Sequence, residues 1–281
     1  MNTRISYKKT KKHLFWTIVF VLPLFIYTAC HTVAVSGRKQ VLLFPASKMN
    51  SMSFQQYDQF LEQNKISRNA AQTKMVKDCG RKIKTAVEKY MKQEGKSEQI
   101  KDFQWEFNLV DDPTVNAWCM PGGKVVFYTG IMPICKDETG VAVVMGHEVA
   151  HAIANHGGER MSHQAILNGI LTAGSFAASM KEQPSLTDGL MLQAVGAGSQ
   201  LGMLAFSRKH ESEADYLGII FMAMAGYKPN AAPEFWKRMS ANSGGQAPPE
   251  FMSTHPSHDR RISDLSKWIP EAMGYYQKAS N

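Results

Sequence analysis

His147-Glu148-Val149-Ala150-His151 is the densest concentration of reactive side chains in the chain. On a helix four residues advance roughly 400°, so both imidazoles project from one face. That spacing lets two histidines bind one metal ion, with the intervening glutamate beside a metal-bound water. Glu148 is therefore the candidate general base, and His147 and His151 are candidate metal ligands. Val141 to Met145 supply apolar residues to bury such a helix, and no proline interrupts it after Pro133.

A catalytic zinc takes three protein ligands and keeps a fourth position open. Metzincins extend this motif with a glycine and a third histidine; Ala154 and Gly157 stand at those positions here, so the third ligand must come from elsewhere. His156, five residues past His151, points away from the metal face of a continuous helix, which suits a supporting role better than ligation. The run Ser207 to Asp215 offers the missing carboxylate. Glu211 and Asp215 share a helical face, and Glu213 looks elsewhere. Glu211 is the expected third ligand. Asp215 is expected to accept a hydrogen bond from a ligand histidine and fix its tautomer. The expected cofactor is one Zn2+ per chain.

His255, in Ser253-Thr254-His255-Pro256, is expected near the zinc. Pro256 disfavours helix at His255, and Ser257 with Asp259 can start the following helix. Gly244-Gly245 and Pro248-Pro249 suit a loop able to move. An imidazole displayed there could hydrogen-bond the oxyanion of the tetrahedral intermediate.

The elements that must position these groups read as α+β: a mostly helical zincin domain of the gluzincin type, with a small antiparallel sheet beside the active-site helix. Apolar periodicity predicts helices over 51–63 and 69–92. Phe103, Trp105, Phe107 and Leu109 alternate with polar residues, as in a half-buried strand. Asn116 to Met120 and Lys124 to Tyr128 form a hairpin around Pro121-Gly122-Gly123. Asn116, Ala117, Trp118, Cys119 and Met120 are the expected substrate-binding edge, where an extended peptide adds a strand. Further helices are expected at 138–156, 159–178, 188–206, 207–225, 230–242 and 257–268. The Gly/Ala/Ser/Met-rich stretch 165–206 is broken by Lys181, Glu182, Pro184 and Asp188. It falls short of the roughly 20 apolar residues of a membrane span, so close packing or a lid is expected.

Composition is globular, 44% hydrophobic and 20% charged in 281 residues. The formal charge of +8 is concentrated at the start, where Arg4, Lys8, Lys9, Lys11 and Lys12 occur without an acid before residue 30. Beyond them 27 basic and 24 acidic residues remain, which gives no reason to invoke nucleic acid. The basic stretch and the apolar run Leu14 to Tyr27 have the form of an export signal. Tyr27-Thr28-Ala29-Cys30 resembles the lipobox of bacterial lipoproteins. The expected organisation is thus a signal peptide at 1–29, a lipidated Cys30, a tether at 30–46 and a metallopeptidase domain at 47–281. The expected location is the periplasmic side of a membrane. Cys79, Cys119 and Cys135 lack metal-site spacing; in an exported protein two of them could pair.

Taken together, Asn116 to Gly123, Gly146 to His151, Ser207-Arg208 with Glu211 and Ala214-Asp215, and Thr254-His255-Pro256 with Arg260 resemble the HtpX and CAAX-prenyl-protease family of zinc metallopeptidases. The resemblance covers roughly 100–265, and within the family it is strongest to the soluble periplasmic lipoprotein branch. It implies an endopeptidase acting on unfolded or misfolded cell-envelope proteins. It also implies a second role for His255, that of a plug in the open zinc position of the resting enzyme. The rival reading is a zinc-bound periplasmic chaperone or assembly adaptor with little proteolysis, which has no need of Glu148.

Overall fold

The computed structural model describes residues 30–33, 36–179, 207–242, 255 and 260–280. The expected export signal, the helix at 188–206 and the loop around His255 lie outside them.

A short hairpin opens the fold: β1 (Cys30–Thr32) pairs antiparallel with β2 (Lys39–Val41). Helices α1 (Ala46–Gln63) and α2 (Ala70–Gln93) follow, and the Asn69 side chain caps α2 by accepting from Gln72 N at 3.1 Å. The expected tether at 30–46 therefore carries ordered strands, and Gln40 within it is buried.

The sheet beside the active-site helix holds β3 (Glu106–Val110), β4 (Ala117–Met120) and β5 (Lys124–Tyr128) in the order β3-β5-β4. It is mixed, not purely antiparallel: β4 and β5 form the expected hairpin, but β5 runs parallel to β3. Burial explains the order. Lys124 to Phe127 are buried, which suits a central strand with neighbours on both sides, whereas half-exposed β4 takes the edge. The β3 ladder starts at Glu106 rather than Phe103, because Gly122 and Gly123 precede β5 in a turn with positive φ. The Trp105 ring lies so close to Gly123 that a Cβ there would meet it at 2.7 Å.

The rest is helical: a short turn α3 (Met132–Cys135), α4 (Glu138–Ile153), α5 (His156–Ser179), α6 (207–224), α7 (Ala231–Ala241) and α8 (Arg261–Ser280). Asp137 caps α4 through Gly140 N at 2.9 Å. From Gly140 to Ile153 every residue of α4 is buried, so this helix is the centre of the core. It packs against α2, β4 and α7. The expected single helix over 138–156 is broken after Ile153. Asn155 adopts φ 55°, a left-handed conformation that asparagine tolerates, and the chain turns there into α5. α8 starts at Arg261, later than expected, and continues through Pro270 to Ser280. Its apolar stripe, which includes buried Leu265 and Ala272, holds the turns on both sides of the proline against the core. No helix among the described residues is long and apolar enough to cross a membrane.

Candidate metal centre and active site

α4 presents His147 and His151 from one face, α6 presents Glu211, and His255 enters from the stretch before α8. These four residues each offer a donor atom within 4.8 Å of the others. The Nε2 atoms of His147 and His151 are 3.1 Å apart, and His147 Nε2 is 3.2 Å from His255 Nδ1. Glu211 oxygens lie 3.3 Å from His147 Nε2, 3.5 Å from His151 Nε2 and 3.1 Å from His255 Nδ1. A tetrahedron of donors about 2.0 Å from a zinc ion has edges of roughly 3.3 Å. The donor spacing and the mixture of imidazole and carboxylate therefore fit such an ion. The three residues from α4 and α6 are only 2–8% exposed, and a cation shared between imidazole and carboxylate donors is what such a buried cluster would hold.

Two glycines let α4 and α6 approach. Glu211, Asp215 and Gly218 recur at helical spacing along one stripe of α6, with Gly218 against Gly146 of α4. A Cβ on Gly218 would stand 2.8 Å from His147 N, and one on Gly146 would stand 2.7 Å from Gly218 O. Backbone therefore meets backbone one residue before the first metal-facing histidine.

Glu148 is 2% exposed and faces the same space, with Oε1 3.5 Å from His255 Nε2. Burial raises its pKa. Glu211 behaves oppositely: burial opposes its charge, but His151, His147 and His255 hold its carboxyl far below the usual range. Burial pushes His151 well down. His147 is also opposed by burial, yet Asp215 and Glu211 raise it to about 9.

Both ligand-like rings of α4 are held from behind. His147 Nδ1 lies 2.9 Å from Asp215 Oδ1. Arg261 ties that carboxylate to the site, donating from Nε to Asp215 at 2.6 Å and from Nη2 to Glu211 at 2.9 Å. Its guanidinium stacks 3.9 Å from the centre of the Trp236 ring. His151 Nδ1 is 2.8 Å from His156 Nδ1, because the turn at Asn155 brings His156 back over His151. Glu213 faces away from the metal cluster and lies 2.9 Å from His156 Nε2.

The residue of the final motif that reaches the site is thus Arg261 and not Arg260, which is exposed. Neither Arg261 nor Trp236 was singled out by the spacing of reactive residues. The signal for Arg261 was available in helix phase, since Arg261, Leu265 and Ala272 share the buried stripe of α8.

β4 runs beside α4. Tyr128 N donates to Asn116 O at 3.1 Å, which fixes the alternation of the antiparallel ladder. Trp118 and Met120 therefore bond toward β5, and Ala117 and Cys119 turn their main-chain groups toward the edge. The Ala117 amide is taken by the Asn116 side chain at 2.9 Å. Among the described residues no strand pairs with β4 on that edge. The Trp118 ring packs on Phe60 at 4.9 Å, and Met120 joins the same small apolar group. Cys119 is turned to the α4 side, where burial and nearby Glu148 keep its thiol protonated. All four cysteines are free, so no pair is joined.

The chain is 40% identical over 179 residues to the mitochondrial metalloendopeptidase OMA1 of Schizosaccharomyces pombe, covering 62% of this chain and 49% of that protein. It is 30% identical over 269 residues to the mitochondrial metalloendopeptidase OMA1 of Danio rerio, covering 91% of this chain and 54% of that one. It is 31% identical over 162 residues to the beta-barrel assembly-enhancing protease of Yersinia pestis, covering 57% and 33%. The chain thus spans about half the length of the first two relatives and a third of the last. Residues 80–269, which make up more than half of the chain and contain His147, Glu148, His151, Glu211, His255 and Arg261, match the peptidase family M48, and the chain belongs to that family.

Proposed function

We propose that the chain is a zinc-dependent endopeptidase that hydrolyses peptide bonds of unfolded or flexible cell-envelope proteins. One observation carries the reading: a buried carboxylate, Glu148, stands beside four donors spaced for a tetrahedral ion. A chaperone or adaptor has no use for that base.

His147, His151 and Glu211 would hold the ion. When bound, zinc activates a water and polarises the scissile carbonyl. Glu148 takes the proton of the attacking water and returns it to the leaving amine nitrogen. Its burial, which raises its proton affinity, suits that exchange near neutral pH. His255, whose Nδ1 lies 3.2 Å from His147 Nε2, would serve in one of two ways: filling the fourth corner of the ion at rest, or donating a hydrogen bond to the oxyanion during the reaction. Asp215 and Arg261 keep His147 and Glu211 in register, so that neither needs to reorganise during the reaction.

Substrate would add a strand along Ala117 to Met120, using the Ala117 carbonyl and the Cys119 main chain. Only an extended segment can bind in this way, hence the restriction to unfolded or flexible polypeptides. Cys30, exposed at the start of β1, is the proposed site of the lipid that holds the enzyme to a membrane on its periplasmic side.

The reading is tested by casein digestion with wild type and Glu148→Gln, each with a metal assay. Wild type should carry about one zinc and digest casein, and a chelator should stop digestion. Glu148→Gln should keep the zinc and lose at least about a hundredfold in turnover. Full turnover by Glu148→Gln removes the general base from the mechanism.

A further inference from the structure

We propose that Arg38, in the N-terminal hairpin, is a positioning residue for the metal site: through Glu213 and His156 it holds the ring of His151 with Nε2 facing the metal. The proposal rests on the zinc reading above and extends it to a part of the chain outside the residues matching family M48.

The path is continuous. A histidine that ligates through Nε2 carries its hydrogen on Nδ1, so His151 Nδ1–H donates to His156 Nδ1 at 2.8 Å. His156 then carries its hydrogen on Nε2 and donates it to Glu213 Oε2 at 2.9 Å. The same oxygen accepts from Arg38 Nε at 2.8 Å. The far side of the guanidinium donates twice to Glu159, at 2.8 and 2.7 Å. Glu159 also lies 3.0 Å from His210 Nε2. The His210 ring stacks on His156, with centres 4.0 Å apart and planes at 12°. His156 is therefore held at its edge by Glu213 and on its face by His210, and Arg38 anchors the carboxylates behind both.

Charge gives the second argument. Glu159 is 2% exposed and Glu213 is 8% exposed. Two carboxylates that deep need a cation, and Arg38 bonds to both at once. A lysine has no planar fork and cannot reproduce three directed donations. The arrangement repeats the one behind His147, where Asp215 and Arg261 do the same work. Behind each α4 histidine thus stands a carboxylate anchored by an arginine, directly for His147 and through His156 for His151, and in both cases the arginine comes from an element outside α4 and α6.

The test is zinc affinity, measured on the full chain by competition with a chromophoric chelator, with the melting temperature of each metal-free variant as control. Arg38→Met should bind zinc about tenfold more weakly, as should Glu213→Gln. The double variant should be no weaker than the worse single, because both cut one path. Arg38→Lys should fall between wild type and Arg38→Met. A role in stability alone would lower the metal-free melting temperature and leave the zinc dissociation constant unchanged, and that result overturns the proposal. So do losses that multiply in the double variant. Should Arg38→Met fail to fold, Arg38→Lys decides: wild-type zinc affinity in that variant overturns the proposal. A wild type that takes up no zinc refutes the zinc reading itself, in the first titration and before any variant is compared.

Discussion

Replacing Gly218 by alanine should damage the metal site without touching any of its ligands. The added Cβ would sit 2.8 Å from His147 N and 3.0 Å from Gly146 C. Ordinary contact between such atoms begins near 3.5 Å, so the two helices must separate by about 0.7 Å at the crossing. Both obstructing atoms are backbone, and no rotamer change relieves them. The displacement passes to Glu211 and Asp215, which lie on the same stripe of α6, while His147 and His151 stay with α4. Metal sites tolerate about 0.2 Å in ligand position, and misplacement approaching 1 Å costs an active site about a hundredfold in rate. Overpacking of this kind also costs about 1–3 kcal/mol of stability, which lowers the melting temperature by roughly 2 to 12 °C at this chain length.

The assay compares zinc content, casein turnover and thermal unfolding of Gly218→Ala with wild type. Gly169→Ala is the control, because a Cβ there meets nothing within 4 Å and improves the helix propensity of α5 by up to about 1 kcal/mol. Gly218→Ala with wild-type zinc and turnover would show that the close crossing does not set the site geometry.

Arg261→Met leaves Glu211 and Asp215 buried without their cation and should cost about 3–5 kcal/mol, whereas exposed Arg260→Met should change stability by less than about 0.5 kcal/mol; thermal unfolding of the two variants checks the contrast. Burial works against the charge of Glu159, but His210 and Arg38 hold its pKa down to about 2 against an ordinary 4.5. Its contribution, up to about 3 kcal/mol, is therefore present above pH 4.5 and lost as the pH falls toward 2. Urea unfolding of metal-free wild type and Glu159→Gln at pH 7 and pH 3 should show the gap between them narrowing, and a constant gap contradicts the assignment. His255→Ala should raise basal casein turnover several-fold if the imidazole occupies the fourth corner at rest, and should lower it if the ring serves the oxyanion. Unchanged turnover excludes both roles.

What the sequence disclosed about the fold follows from what local pattern encodes. Segments with strong apolar period, such as 69–92, give helices within a residue of expectation, because the pattern and the burial are the same fact. Strand partners are another matter. The alternation in β4 and β5 predicts a hairpin, but nothing local says that β5 will slide between β4 and β3. That choice depends on how much of β5 both neighbours can bury, and it makes the sheet mixed. The end of α4 was hidden for a similar reason. Its continuation to residue 156 is good helix by pattern, and the break at Asn155 is fixed by what His156 gains from reaching back to His151 and Glu213.

At the candidate site, legibility falls with distance from the donor cluster. His147, His151 and Glu211 are findable because one ion requires donors at helical spacing on two segments. Asp215 follows from Glu211 by one more turn. Arg261 was within reach, since the phase of α8 places it on the buried stripe and Arg260 off it; choosing between two adjacent arginines needs the helix register, not their chemistry. Arg38 was out of reach. It lies in a segment too short for any period, and its two carboxylates come from α5 and α6, which meet it only in the folded chain. Yet it is tied to His151 by hydrogen bonds no longer than 2.9 Å, about as short as those from Arg261 to Asp215 and Glu211. The reach of a metal site therefore extends along its hydrogen bonds and not along the motif. Variants that disable it should be found as far from the histidine pair in sequence as residue 38.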